Sequence, residues 1–148
     1  MSLSAEQPYG AAAAEIIGER SKAVFVHKRK RVLDLSDIEG VHEMRVATRR
    51  LRAALEVFGP ALQRKRGARA LREVKTLAAA LGERRDRDVQ LTLLDGLRED
   101  CEGAERRAVE LLAAELEAEQ RHANDELAAE LKRVKRSHLH RRLARLAR

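Results

Sequence analysis

The chain has 148 residues, enough for one domain with a core of its own. Hydrophobic residues make up 44% of it but aromatics only 2%, and with 37% charged residues this is the composition of a helical bundle with a Leu, Ala and Val core. Two prolines and eight glycines are too few for an all-β fold, and a net charge of +7 points to a polyanionic partner.

Four helices are predicted in an antiparallel four-helix bundle, a single all-α domain over residues 1–148. The first spans about Tyr9 to Arg31, with Ile16, Ile17, Val24 and Phe25 inward, and Asp-Leu-Ser-Asp at 34–37 is turn and capping chemistry. The second spans about Glu39 to Phe58 and ends at Gly59-Pro60. The third runs to Leu81 and stops at Gly82, with Leu71, Val74, Ala78 and Leu81 inward. A polar segment, Glu83 to Asp88, then leads into a short helix over Val89–Leu94. The fourth long helix spans about Gly103 to Val134, and the tail from Lys135 is helix-competent but expected to fray.

Charge runs in blocks. Residues 20–72 hold 15 basic and 5 acidic side chains, residues 95–130 hold 4 and 12, and residues 131–148 hold 8 and none. Arginine outnumbers lysine 24 to 7, and a guanidinium forks onto phosphate oxygens where an ammonium acts as a point charge.

The second helix carries the chemistry. At about 100° per residue, Met44, Ala47, Leu51, Ala54, Leu55 and Phe58 share one arc, and His42, Arg45, Arg49 and Arg52 share another. The latter form a basic ridge about 15 Å long. Like charges at these spacings repel by a few tenths of a kcal/mol per pair, about, and only Glu56 lies on the ridge to relieve them. Either other helices supply counter-charges, or a linear polyanion does. Lys65, Arg72 and Lys75 share a stripe on the third helix, and an antiparallel neighbour would bring Lys75 to the ridge. Arg84, Arg85 and Arg87 follow Gly82; Asp86 and Asp88 suit holding these arginines, and Arg85–Asp86 suits a loop-ordering ion pair. The ridge spacing recurs at His138, Arg141, Arg145 and Arg148, as chance in an Arg-rich tail or as a second half-repeat.

The stretch Val41-His42-Glu43-Met44-Arg45-Val46-Ala47-Thr48-Arg49-Arg50-Leu51-Arg52-Ala53-Ala54-Leu55 resembles the signature helix of CHAD domains, all-α modules named for their histidines. Val74-Lys75-Thr76-Leu77, with Leu81-Gly82-Glu83-Arg84-Arg85-Asp86-Arg87-Asp88-Val89, resembles the second signature of that family. The resemblance implies a bacterial or archaeal module that binds inorganic polyphosphate and is associated with polyphosphate granules. The residues themselves, with no spanning run and no signal-peptide h-region, make the cytoplasm the expected compartment, and neither catalysis nor a cofactor is expected. Carried over by position, His42, Arg45, Arg49, Arg50, Arg52, Lys75 and Arg85 would contact phosphate, with Lys28, Arg31, Arg72 and Arg84 as secondary contacts. Family domains commonly have two such bundles around a basic channel. Residues 138–148 would be the vestige of a second signature helix, in a half-length member or a truncated chain. A half-length member could rebuild the channel as a homodimer.

Other functions fit less well. His42 has no partner at i+4 and cations for neighbours, so no metal site is expected. A nucleic-acid backbone is the alternative polyanion, but Tyr9, Phe25 and Phe58 give bases almost no stacking platform. A phosphate-processing enzyme would need acidic metal ligands or a nucleophile close to the bound phosphates, and the acidic residues concentrate on the fourth helix, away from the ridge in sequence. Lone Cys101 sits in an acidic stretch with no His beside it and reads as a bystander in a reducing compartment. No apolar run reaches membrane-spanning length, so no membrane partner is expected.

Overall fold

The computed structural model describes residue 4 and residues 6–62 and 64–147. It has six α-helices and, among the described residues, no strand: α1 Tyr9–Phe25, α2 Arg29–Val32, α3 Ile38–Phe58, α4 Arg64–Asp100, α5 Gly103–Arg136 and α6 Leu139–Leu146. The all-α expectation holds; the four-helix count does not, and each departure has a packing cause.

The expected first helix breaks after Phe25, and its end becomes the short α2. Neither Gly nor Pro marks the break. What decides it is capture of α2 by other elements. Val32 is fully buried, and the Arg31 guanidinium donates to Asp37 at 2.9 Å and to both Glu43 oxygens at 2.6 and 3.1 Å. Gly40 on α3 permits the close approach, because a Cβ there would lie 2.6 Å from the Arg31 carbonyl oxygen.

Glycine at 82 does not stop the next helix. α4 continues through it for 37 residues, about 55 Å, and the expected polar segment 83–88 and short helix 89–94 are its later turns. A helical glycine costs about 1 kcal/mol, which the surrounding packing exceeds. Leu81 and Leu94 bury against neighbours, and Arg84 and Asp88 turn inward instead of into solvent. Their side chains are fully buried and joined at 3.1 Å. Arg84 also donates to Asn124 Oδ1 at 2.8 Å, Gln120 donates to Asp88 at 2.7 Å, and Asn124 donates to the Leu33 carbonyl at 3.0 Å. This polar node ties α4 and α5 to the end of α2.

The hydrophobic core collects Ile17 and Val24 of α1, Met44, Leu51 and Leu55 of α3, Val74, Leu77 and Leu81 of α4, and Leu127 and Val134 of α5. Leu71 is half-buried at its edge. The tail does not fray. His138 takes a left-handed conformation (φ 53°) that ends α5 and turns the chain into α6, whose Leu139, Leu143 and Leu146 complete the core. Glu73 of α4 clamps this helix by accepting from Arg142 and, at 2.8 Å, from Ser137. Of the residues at which the ridge spacing recurs, His138 precedes α6, Arg141 and Arg145 are exposed on it, and Arg148 lies outside the described residues.

Beyond Arg85, α4 and α5 run on as a hairpin past the start of α3. There Val89, Leu93 and Leu97, at 43%, 65% and 52% exposure, continue the α4 face that α3 covers earlier along the helix.

Candidate polyanion-binding site

α3 is positioned by its apolar arc: Val41, Met44, Ala47, Leu51, Ala54 and Leu55 are buried, so the remaining arc must face out. Asp37 caps the helix, accepting from the Glu39 amide at 3.2 Å. On the outward arc, Arg49 and Arg50 are exposed and Arg45 is half-exposed, and none of the three has a salt bridge to a described residue. Successive members of His42, Arg45, Arg49 and Arg52 rise about 4.5–6 Å along the axis, giving one line of nitrogen-bearing side chains.

α4 contributes from one flank. Lys75 reaches Glu56 at 3.2 Å, and Arg52 holds the same oxygen at 3.0 Å, so Lys75 stands beside the C-terminal end of the ridge. Hydrogen bonds from Arg52 and then Lys75 hold the Glu56 carboxyl below its ordinary range. Arg85 lies at the other end and donates to the Ile38 carbonyl at 3.4 Å. The expected Arg85–Asp86 loop pair is replaced by this contact, because the segment is helical and Asp86 points to solvent. Five of the seven expected contacts are thus on or beside one face of α3, with Lys75 and Arg85 bracketing it from α4.

The secondary set divides. Lys28 and Arg72 are exposed. Arg31 is also exposed, but its guanidinium is occupied by Asp37 and Glu43, whose carboxyls its hydrogen bonds pull down. Arg84 is a correction: its side chain has no exposure, so it is a structural cation of the α4–α5 node and not a surface contact for phosphate.

The other flank of α3 holds what sequence reasoning missed. Between α1 and α3 a cavity of about 320 Å³ is lined by Arg20, His27, His42 and Arg50. The His42 Nδ1 is buried without a hydrogen-bond partner, and the His27 Nδ1 lies 3.9 Å from Glu43. Arg20 and His27 carry no motif signal; only the packing of α1 against α3 brings them to His42. The cations of this face can pair with several anionic groups at once. Among the described residues, no group of three or more His, Cys, Asp or Glu side chains gathers where it could hold a metal ion.

A family model for the CHAD domain matches residues 15–148. The chain belongs to the CHAD domain family. Within this CHAD chain the matched segment takes in all of α2 to α6 and most of α1, so the ridge, the α4 flank and the buried Arg84–Asp88 node all fall inside it. No curated protein and no solved structure matches it. Among the described residues, no helix is long and apolar enough to cross a membrane.

Proposed function

We propose that this CHAD chain binds inorganic polyphosphate along α3, by multivalent charge pairing and without turning it over. The observation that carries the reading is that Arg45 and Arg49 on the ridge, and Arg50 on its α1 flank, have no carboxylate partner among the described residues, with Lys75 and Arg85 standing beside the ridge on α4. Each guanidinium forms charge-assisted hydrogen bonds to phosphate oxygens, about 1.5–3 kcal/mol apiece before ordering costs. Orthophosphate engages one or two of them, whereas a long polymer engages the line and each contact raises the effective concentration of the next. The reading places the protein in the cytoplasm with the polymer, at its granules.

The test is a titration of long polyphosphate, triphosphate, orthophosphate and duplex DNA at two salt concentrations. Affinity should climb with chain length and fall with salt. Equal affinity for triphosphate and the long polymer, or release of orthophosphate at an enzymatic rate with magnesium, would defeat the proposal. Tighter binding of duplex DNA would favour a nucleic-acid backbone instead. Among the described aromatic side chains only Tyr9 is exposed, and it packs against Phe58 with ring centroids 5.8 Å apart, so bases find little to stack on.

The same reading includes a homodimer, in which a second copy extends the basic face. Exposed Val89, Leu93 and Leu97 on the α4–α5 hairpin support that part of it.

A further inference from the structure

A second cavity, of about 700 Å³, lies where the ends of α1 and α5 meet α2 and α6, and shares only His27 with the α1–α3 cavity. Its floor is the core itself: Val24, Met44 and Val134 are buried there, and Phe25 and Leu131 are half-buried beside them. Its rim is cationic. Arg29, Lys135 and Arg141 are exposed around the mouth without a salt bridge to any described residue. Lys22 lines it too but is paired with Glu19 at 3.1 Å, His138 and His140 line it as well, and no carboxylate lines the cavity.

The ordinary explanation covers only part of this rim. Lys135 lies in the last turn of α5, where the helix dipole favours a cation. Arg141 lies in the first turn of α6, where the dipole opposes one, and that turn holds no acidic residue. The left-handed backbone of His138, rare for a residue with a Cβ, sits at the same mouth. His140 packs on Phe25 with ring centroids 5.0 Å apart and lines the passage from rim to floor.

An apolar floor under a rim that carries three unpaired cations suits one chemical class. We infer that this cavity binds a single-chain amphiphilic anion, its hydrocarbon chain against Phe25, Met44, Leu131 and Val134 and its anionic head among Arg29, Lys135 and Arg141. Polyphosphate does not fit this description, because it would leave the apolar floor in water. The volume falls within the range of ordinary small-molecule sites.

Calorimetry with decyl phosphate, decanoate and decanol below their aggregation concentrations tests the inference on the full chain. Both anions should bind saturably, and decanol at least about tenfold more weakly. The ratio of decyl phosphate to decanoate affinity separates a phosphate head from a carboxylate head. Arg141→Glu should weaken decyl phosphate at least about fivefold, and Leu131→Trp, which fills the cavity, should abolish its binding. Should Leu131→Trp fail to fold, Arg29→Glu with Arg141→Glu, both at exposed positions, gives the same answer. Long-polyphosphate affinity should stay within about twofold in Leu131→Trp. The inference is overturned if decyl phosphate does not saturate, if decanol binds as tightly, or if Arg49→Ala removes decyl phosphate while Arg141→Glu does not. Failure of polyphosphate itself to bind would defeat the α3 reading and leave this one standing.

Discussion

Lys75 of α4 and Glu56 of α3 lie 3.2 Å apart across the helix interface, and the same carboxylate oxygen is held by Arg52 at 3.0 Å. One anion therefore neutralises the C-terminal end of the ridge, while Arg45 and Arg49 beside it keep their charge unpaired among the described residues. Because both cations hold the Glu56 carboxyl below its ordinary range, it remains ionised at neutral pH. Glu56→Gln should release two cations and tighten long-polyphosphate binding by about threefold to tenfold at low salt. Weaker binding in that variant would mean that Glu56 is needed to aim Arg52 and Lys75.

Arg49 is the cleanest probe of the ridge, being exposed and outside the core. Arg49→Ala should lower long-polyphosphate affinity by about tenfold with an unchanged melting temperature. Arg49→Lys should recover only part of the loss, since it restores charge but not the guanidinium fork. Filter binding with both variants decides it; unchanged affinity in Arg49→Ala and Arg52→Ala would make the ridge a solvated face.

The Arg84–Asp88 node should dominate stability. Asp88→Asn or Arg84→Met leaves a buried charge uncompensated and should cost about 3–5 kcal/mol in denaturant unfolding. Replacing both, as Arg84→Met with Asp88→Leu, should recover much of that. A single variant of wild-type stability would show that water compensates the stranded group.

Glu130 gives the opposite sign. Burial raises its pKa, outweighing the nearby Arg133. An acid whose folded pKa is raised destabilises the fold above that pKa and ceases to do so as pH falls through it. Glu130→Gln should therefore raise the melting temperature at pH 7 by about 2 °C, and the gain should vanish near pH 4. A loss of stability at pH 7 would mean that its pair with Arg133 is worth more than its burial costs.

Self-association, if it covers the hairpin, should respond to Leu93. Light scattering should find wild-type dimers at high concentration, and Leu93→Glu should be monomeric with the same helix content. Monomers in both, with and without polyphosphate, would remove the dimer.

The basic face of α3 was legible in the sequence because it is local. A 3.6-residue period places Met44, Leu51 and Leu55 on one side and Arg45, Arg49 and Arg52 on the other, whatever the helix packs against. The α3 boundaries were legible for the same reason, with Asp37 capping one end and Gly59-Pro60 closing the other. Where the sequence misled, the signal was local but the decision was not. Gly82 reads as a stop and the residues after it as polar loop, yet the packing of Arg84 and Asp88 against Gln120 and Asn124, some thirty to forty residues away, makes them inward-facing turns of α4. The break after Phe25 has no breaker residue, because burial of Val32 and capture of Arg31 by Glu43 set it. Arg20 and His27 reach His42 only because α1 lies on α3. Composition and periodicity determined an all-helical chain with a cationic helix face; which arginines stay on the surface and which are buried was decided only by tertiary packing, because the cost of burying a guanidinium depends on partners that no local window contains.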